Sequence, residues 1–292
     1  MKRHALAALA ALALSATALL GTSSAAVAAV PDGAPYVAVG DSIAAGTGNL
    51  PYVDAACLRS KKAYPHLLGS MLGAAPVSAA CSGATTTGVL QQLAVLDAAG
   101  AIGTDTRLVT VTSGANNTGW QNALAVCAVG DPVACQQALA AIADVGDLDA
   151  DTVAVLTAIR AAAPHAVIAI TGYPRLFGST GGTCTIGGYQ GAPAKVTAQQ
   201  AAIANSIVNG INLEIAQGLQ GYQFLYAQTH GGMLDAVVPV DVSGAFAGHA
   251  LCDTGDRWIS GLSSGNKSDG AFHPNAAGQQ AYAAAIAAAL AP

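Results

Sequence analysis

The chain has 292 residues, a formal charge of −5, 53% hydrophobic residues and only 9% charged ones. That is enough to bury one large core, and the negative balance excludes an electrostatic footprint for nucleic acid. Alanine lifts the mean hydropathy to +0.47 without adding large side chains, so that value is no membrane signal.

The chain opens on Lys2 and Arg3, continues through an apolar run from Ala5 to Leu20, and reaches small residues in which Ala26-Val27-Ala28 resembles a signal-peptidase site. A cleaved export signal is expected over 1–29, and with it a secreted protein. The apolar run is shorter than the roughly 20 residues of a spanning helix. Removing Lys2 and Arg3 takes the formal charge from −5 to −7. Residues 30–292 are expected to form a single monomeric domain with no integral membrane segment.

Apolar β-type runs then recur at Tyr36 to Val39, Val77 to Ala80, Leu108 to Val111, Ala166 to Thr171 and Tyr222 to Tyr226. Helical spacing appears over Ala63 to Leu72, Asp149 to Ala163 and Ala276 to Leu290. The longest helix is predicted from a Thr197 cap to Leu219, with Gly218 and Gly221 as its stop. Strands alternating with helices imply a mostly parallel sheet covered on both faces, a three-layer α/β fold whose site lies beyond the carboxyl ends of the strands. Gly178 to Gly188 and Ser260 to Gly270 read as loops, and the weakly periodic stretch from Thr229 to Gly270 is expected to shape a cleft.

Six cysteines pair in sequence order as Cys57 with Cys81, Cys127 with Cys135, and Cys184 with Cys252, although 15 connectivities are open. In an exported chain an even count without a short Cys-x-x-Cys pair reads as disulfides rather than zinc, so no metal or other cofactor is expected. With sequential pairing the last bridge closes a loop of about 70 residues, for which chain entropy suggests about 4 kcal/mol.

The chemistry sits at three separated places. Ser42, in Val39-Gly40-Asp41-Ser42-Ile43-Ala44, follows the first strand, where an exposed nucleophile belongs, yet a serine hydroxyl needs a base to take its proton. His273, in Asp269-Gly270-Ala271-Phe272-His273-Pro274, supplies that base, and Asn116, in Ser113-Gly114-Ala115-Asn116-Asn117, supplies an amide donor. Asp41 is assigned a structural hydrogen-bonding role, because a carboxylate there disfavours a nearby oxyanion. Trp120 is expected to wall an acyl pocket. Gly261-Leu262-Ser263-Ser264-Gly265 matches a nucleophile elbow, but a Gly/Ser/Asn loop follows where that motif needs a helix. His66, His165, His230 and His249 show no ligand spacing and read as structural or surface residues.

Together these motifs resemble the SGNH hydrolases, the GDSL esterase and lipase family, over nearly the whole mature chain. Gly40 to Gly46 is similar to the first block, Cys81-Ser82-Gly83-Ala84 to the second, Gly114 to Asn117 to the third, and Asp269 to Pro274 to the fifth. The cysteine spacing and Lys62-Ala63-Tyr64-Pro65 resemble secreted actinobacterial-type members. The resemblance implies a flavodoxin-like αβα sheet of about five strands. It also implies a secreted carboxylic ester hydrolase acting on small-molecule or lipid esters, with Ser42 and His273 catalytic and an oxyanion hole from Ser42, Gly83 and Asn116. The sequence departs from the family at Asn117, usually Asp, and at Gly270, where the family's acid belongs. Either Asp269 orients His273 through a bulged loop, or the main-chain carbonyl of Gly270 does; the carbonyl is the favoured reading. The alternatives from other classes are an inactive module binding cell-wall or glycan ligands and a metal phosphoesterase.

Overall fold

The computed structural model describes residues 30–291 apart from 121, 122, 124, 125, 127–131, 143–145, 190 and 264–267. The expected export signal over 1–29 and Cys127 lie outside the described residues.

β1 (Tyr36–Gly40) runs into a one-turn helix, α1 (Ser42–Ala45), and a hairpin of β2 (Tyr52–Asp54) and β3 (Arg59–Ser60) leads to α2 (Tyr64–Met71). Next come β4 (Pro76–Ser78), α3 (Thr86–Ala98), β5 (Leu108–Thr112), α4 (Pro132–Ala141), α5 (Leu148–Ala162) and β6 (Val167–Thr171). A second hairpin, β7 (Thr183–Tyr189) and β8 (Ala192–Thr197), hands over to α6 (Ala198–Thr229), followed by β9 (Val237–Val240) and α7 (Ala276–Leu290).

The main sheet has the order β4-β1-β5-β6-β9, with every neighbouring pair parallel. Every residue of β1, β5 and β6 is buried, as continuous apolar runs require when helices cover both faces. One helical layer pairs α2 with α7; α3, α5 and α6 pack in sequence in the other. The result is the three-layer α/β fold with a flavodoxin-like strand order, and the order reverses between β1 and β5, where open sheets of this kind place their ligands. Register sharpens this, since Gly40, Thr112 and Thr171 are paired neighbours at the ends of β1, β5 and β6. Chain segments that leave these strands emerge side by side on one edge.

Four of the five expected strands form where predicted, and the fifth does not. Tyr222 to Tyr226 lies inside α6, which continues to Thr229, and the edge strand is instead Val237–Val240, within the stretch read as irregular. Gly218 is the cause of the misreading. A Cβ there would sit 2.5 Å from both the Asp149 carbonyl and the Thr152 Cβ of α5, so this glycine permits two helices to close on each other rather than stopping one. The helix ends at the adjacent Gly231 and Gly232, both with positive φ. Its start agrees with the sequence: Thr197 and Gln200 form a reciprocal capping box. Gly178 to Gly188, read as a loop, contains most of β7, and α3 was not foreseen. Disulfides join Cys57 to Cys81 and Cys184 to Cys252, the latter fastening β7 to the segment after β9 across 68 residues.

Candidate active site

β1 ends at Gly40, whose φ of 140° and lack of a side chain admit the Thr112 carbonyl of β5; a Cβ would lie 2.4 Å from it. Gln92 of α3 fixes this peptide from both sides, accepting from Gly40 N–H at 2.8 Å and donating to its carbonyl at 2.9 Å. Asp41 then caps α1, its Oδ1 accepting from Ile43 N–H at 2.9 Å. Ser42 therefore stands at the first turn of α1, buried to 3% exposure, where the strand gives way to the helix.

Beyond β5 a 3₁₀ turn, Ala115–Thr118, carries Asn116, whose Nδ2 donates to the Ala84 carbonyl at 2.9 Å. That bond ties the amide to the turn holding Gly83, itself at φ 80° beside the Cys57–Cys81 bridge. Gly83 lies outside the cavity lining, and a Cβ on it would meet nothing within 4 Å. Asn117, where the family usually has Asp, accepts from Thr86 N–H at 3.1 Å and donates to Asp151 Oδ2 at 2.8 Å, joining the starts of α3 and α5.

His273 sits in the approach to α7 and is 5% exposed. Its Nδ1 lies 2.9 Å from the Ala271 carbonyl. A carbonyl only accepts, so Nδ1 carries the proton and Nε2 presents its lone pair. Nε2 is buried with no hydrogen-bond partner. The orienting group thus differs from both sequence expectations: Asp269 is exposed on a 3₁₀ turn, and the Gly270 carbonyl accepts the His273 backbone N–H at 3.0 Å instead. Burial pushes the imidazole down to about 4, against opposing pulls from the Ala271 carbonyl and the charge of Asp269.

Ser42, Asn116 and His273 line one cavity, whose remaining wall is largely apolar and includes Ile43, Trp120, Leu176, Ile207, Ile211 and Phe272. Trp120 is therefore placed at the pocket wall, with its ring centroid 6.2 Å from that of His273. Two side chains that sequence reasoning missed stitch the far ends of the chain together here. Asn49 donates to the Pro274 carbonyl at 2.9 Å, and Gln279, fully buried in α7, donates to the Ile43 carbonyl at 3.1 Å while accepting from Tyr64 N–H at 2.7 Å. No local pattern announces them, because the bond that joins the distant ends runs in each case from an amide to a main-chain group remote in sequence. Tyr173 is a third, bonded to Asp41 and to Ala115 N–H. Among the described residues no group of three His, Cys, Asp or Glu is placed to hold a metal, and no helix is long and apolar enough to cross a membrane. Ser263 lies in a segment whose next residues, 264–267, are outside the described residues.

The model of the GDSL-like Lipase/Acylhydrolase family matches residues 38–281. The chain is 32% identical to a lipase of Streptomyces rimosus over 96% of this chain and 95% of that protein. It is 30% identical to lipase 1 of Streptomyces coelicolor, over 88% of this chain and 86% of that one. Among solved structures, the extracellular lipase of Streptomyces rimosus superposes with a TM-score of 0.69 at 30% identity, covering 88% of this chain and 99% of that one. Phospholipase A1 of Streptomyces albidoflavus NA297 superposes with a TM-score of 0.72 at 28% identity, covering 90% and 100%. With block sequences, sheet order and relatives of nearly equal length in agreement, the chain belongs to the GDSL-like lipase/acylhydrolase family and is a carboxylic ester hydrolase.

Proposed function

We propose that this is a secreted serine esterase or lipase in which Ser42 is the nucleophile and His273 the general base. His273 Nε2 takes the Ser42 proton as Oγ attacks the ester carbonyl carbon. The Ser42 and Gly83 main-chain N–H groups and the Asn116 amide receive the developing oxyanion. His273 then returns the proton to the departing alcohol, leaving an acyl-Ser42 ester, and a water deprotonated by the same imidazole hydrolyses it. The Ala271 carbonyl holds the tautomer throughout. The observation that carries this reading is the unpartnered, buried Nε2 of His273, a residue that lines the same cavity as Ser42 and Asn116. A burial-depressed imidazole is neutral above pH 4 and so ready to accept a proton over the ordinary working range.

The apolar wall around Trp120, Ile207 and Phe272 supports an acyl chain as the part of the substrate bound there. The leader over 1–29 and the disulfides support export. Labelling with a serine-directed phosphonate, followed by peptide mapping, tests the assignment: a single adduct on Ser42 is expected, with Ser42→Ala losing at least about 10³-fold in ester turnover. An adduct elsewhere on an active preparation would refute it. Absence of any turnover by the wild type would favour the inactive binding module.

A further inference from the structure

Three neighbouring strand ends surround the cavity, and one phenol touches all of them. Tyr173 follows β6; its Oη donates to Asp41 Oδ2 at 2.6 Å, just past β1, and accepts from Ala115 N–H at 3.1 Å, just past β5. Asp41 immediately precedes Ser42, and Ala115 immediately precedes Asn116. Tyr173 is itself held firmly. Asn212 of α6 accepts from its N–H and donates to its carbonyl, both at 2.8 Å, and the side chain is buried at the cavity wall.

We propose that Tyr173 is a positioning residue for ester hydrolysis, its hydroxyl fixing the spacing between Ser42 and the Asn116 amide by bridging ionised Asp41 to the Ala115 main chain. The inference rests on the roles proposed above for Ser42 and Asn116.

A count of protons supports it. With Asp41 ionised, Oδ1 accepts from Ile43 N–H, Oδ2 accepts from the phenol, and the phenol oxygen accepts from Ala115 N–H, so every group is satisfied. A proton on either oxygen removes the negative charge that strengthens the bonds from Tyr173 and Ile43. The strut is tightest in the anionic form. The groups facing Asp41 are the phenols of Tyr173, Tyr64 and Tyr282, with His273 on the same cavity. Burial pushes Asp41 up to about 6, with the bonds from Tyr173 and Ile43 pulling the other way, so the strut gains and loses its proton within an accessible pH range.

The test compares wild type, Tyr173→Phe and Asp41→Asn on a soluble chromogenic ester between about pH 4 and 9, with thermal midpoints recorded alongside. Tyr173→Phe is expected to lower kcat about 10- to 100-fold while KM moves less than about threefold, as for a misplacement without lost binding area. The acid limb of kcat is expected to inflect near pH 6 in the wild type and to shift upward in Tyr173→Phe, which deprives the anion of a donor. Asp41→Asn should abolish that inflection. A purely structural role would lower the midpoint and leave the pH profile in place. Wild-type kcat and profile in Tyr173→Phe overturn the proposal. Should that variant fail to fold, a wild-type profile without the inflection, or its persistence in Asp41→Asn, overturns it equally. Phosphonate adduct formed on Ser42 at the wild-type rate in Tyr173→Phe defeats the strut alone, whereas no Ser42 adduct in active wild type defeats the nucleophile beneath it.

Discussion

His273 receives its orientation from an acceptor without charge. In the role proposed for it the imidazole must keep Nδ1 protonated and Nε2 free, and the Ala271 carbonyl at 2.9 Å accomplishes both, with less stabilisation of the imidazolium than a carboxylate gives. Asp269 acts on the ring only through space, from an exposed turn. Asp269→Ala should accordingly keep turnover within about fivefold of wild type, while Asn116→Ala should lose about 10²- to 10³-fold in kcat if its amide meets the oxyanion. Steady-state kinetics on one ester decides both, and a loss of several orders of magnitude in Asp269→Ala would reverse the assignment. The sequence identified Ser42, Asn116 and His273 as candidates because each is a chemistry-bearing side chain inside a short local motif. Ala271 escaped notice because any residue offers a carbonyl, and only the φ of 64° at Phe272 together with the fold decides which one faces the ring. Tyr173 and Asp41 are 132 positions apart, a spacing that carries no periodic signal.

At the scale of elements, α6 shows how tertiary packing overrides local propensity. Gly218 and Gly221 read as a stop and the aromatic run after them as a strand, yet Tyr222 turns inward from the helix and donates to Asp235. Glycine in a helix interior is ordinarily unfavourable by about 0.8–1 kcal/mol relative to alanine. Here the sign should invert: Gly218→Ala drives a Cβ into α5 and is expected to destabilise the protein by about 1–3 kcal/mol in urea unfolding. A gain in stability would show that α5 and α6 can move apart freely. The strands that the sequence located carry apolar residues free of proline in their interiors, whereas β9 is broken by Pro239 within its four residues and lies in the stretch read as irregular. An edge position tolerates that proline because one side of its backbone needs no partner. β7 went unseen because it is threonine- and glycine-rich and forms as the first arm of a hairpin with β8.

For the whole molecule, two buried groups of the same cavity make opposing demands on pH. His273 titrates at about 4 when folded against 6.5 ordinarily, so between those values the unfolded chain binds more protons and stability rises with pH. Asp41 titrates at about 6 against 3.8, so between those values the folded state binds more protons and stability falls as pH rises. The contributions are of similar size and nearly cancel. Asp41→Asn removes one of them, and the variant should then lose up to roughly 3 kcal/mol relative to wild type on going from pH 6 to 4. Urea midpoints for both proteins at a few pH values in this interval measure it, and parallel curves would contradict it. The stitches made by Asn49 and Gln279 have a temporal meaning as well. Ile43 and Gln279 are 236 positions apart, so a ribosome releases the Ser42 hydroxyl long before the His273 imidazole, and if the two act as proposed the hydroxyl waits during synthesis without its base. On the proposed roles, ester hydrolysis begins only once the closing helix has docked, which leaves the nascent chain inert until its synthesis is complete.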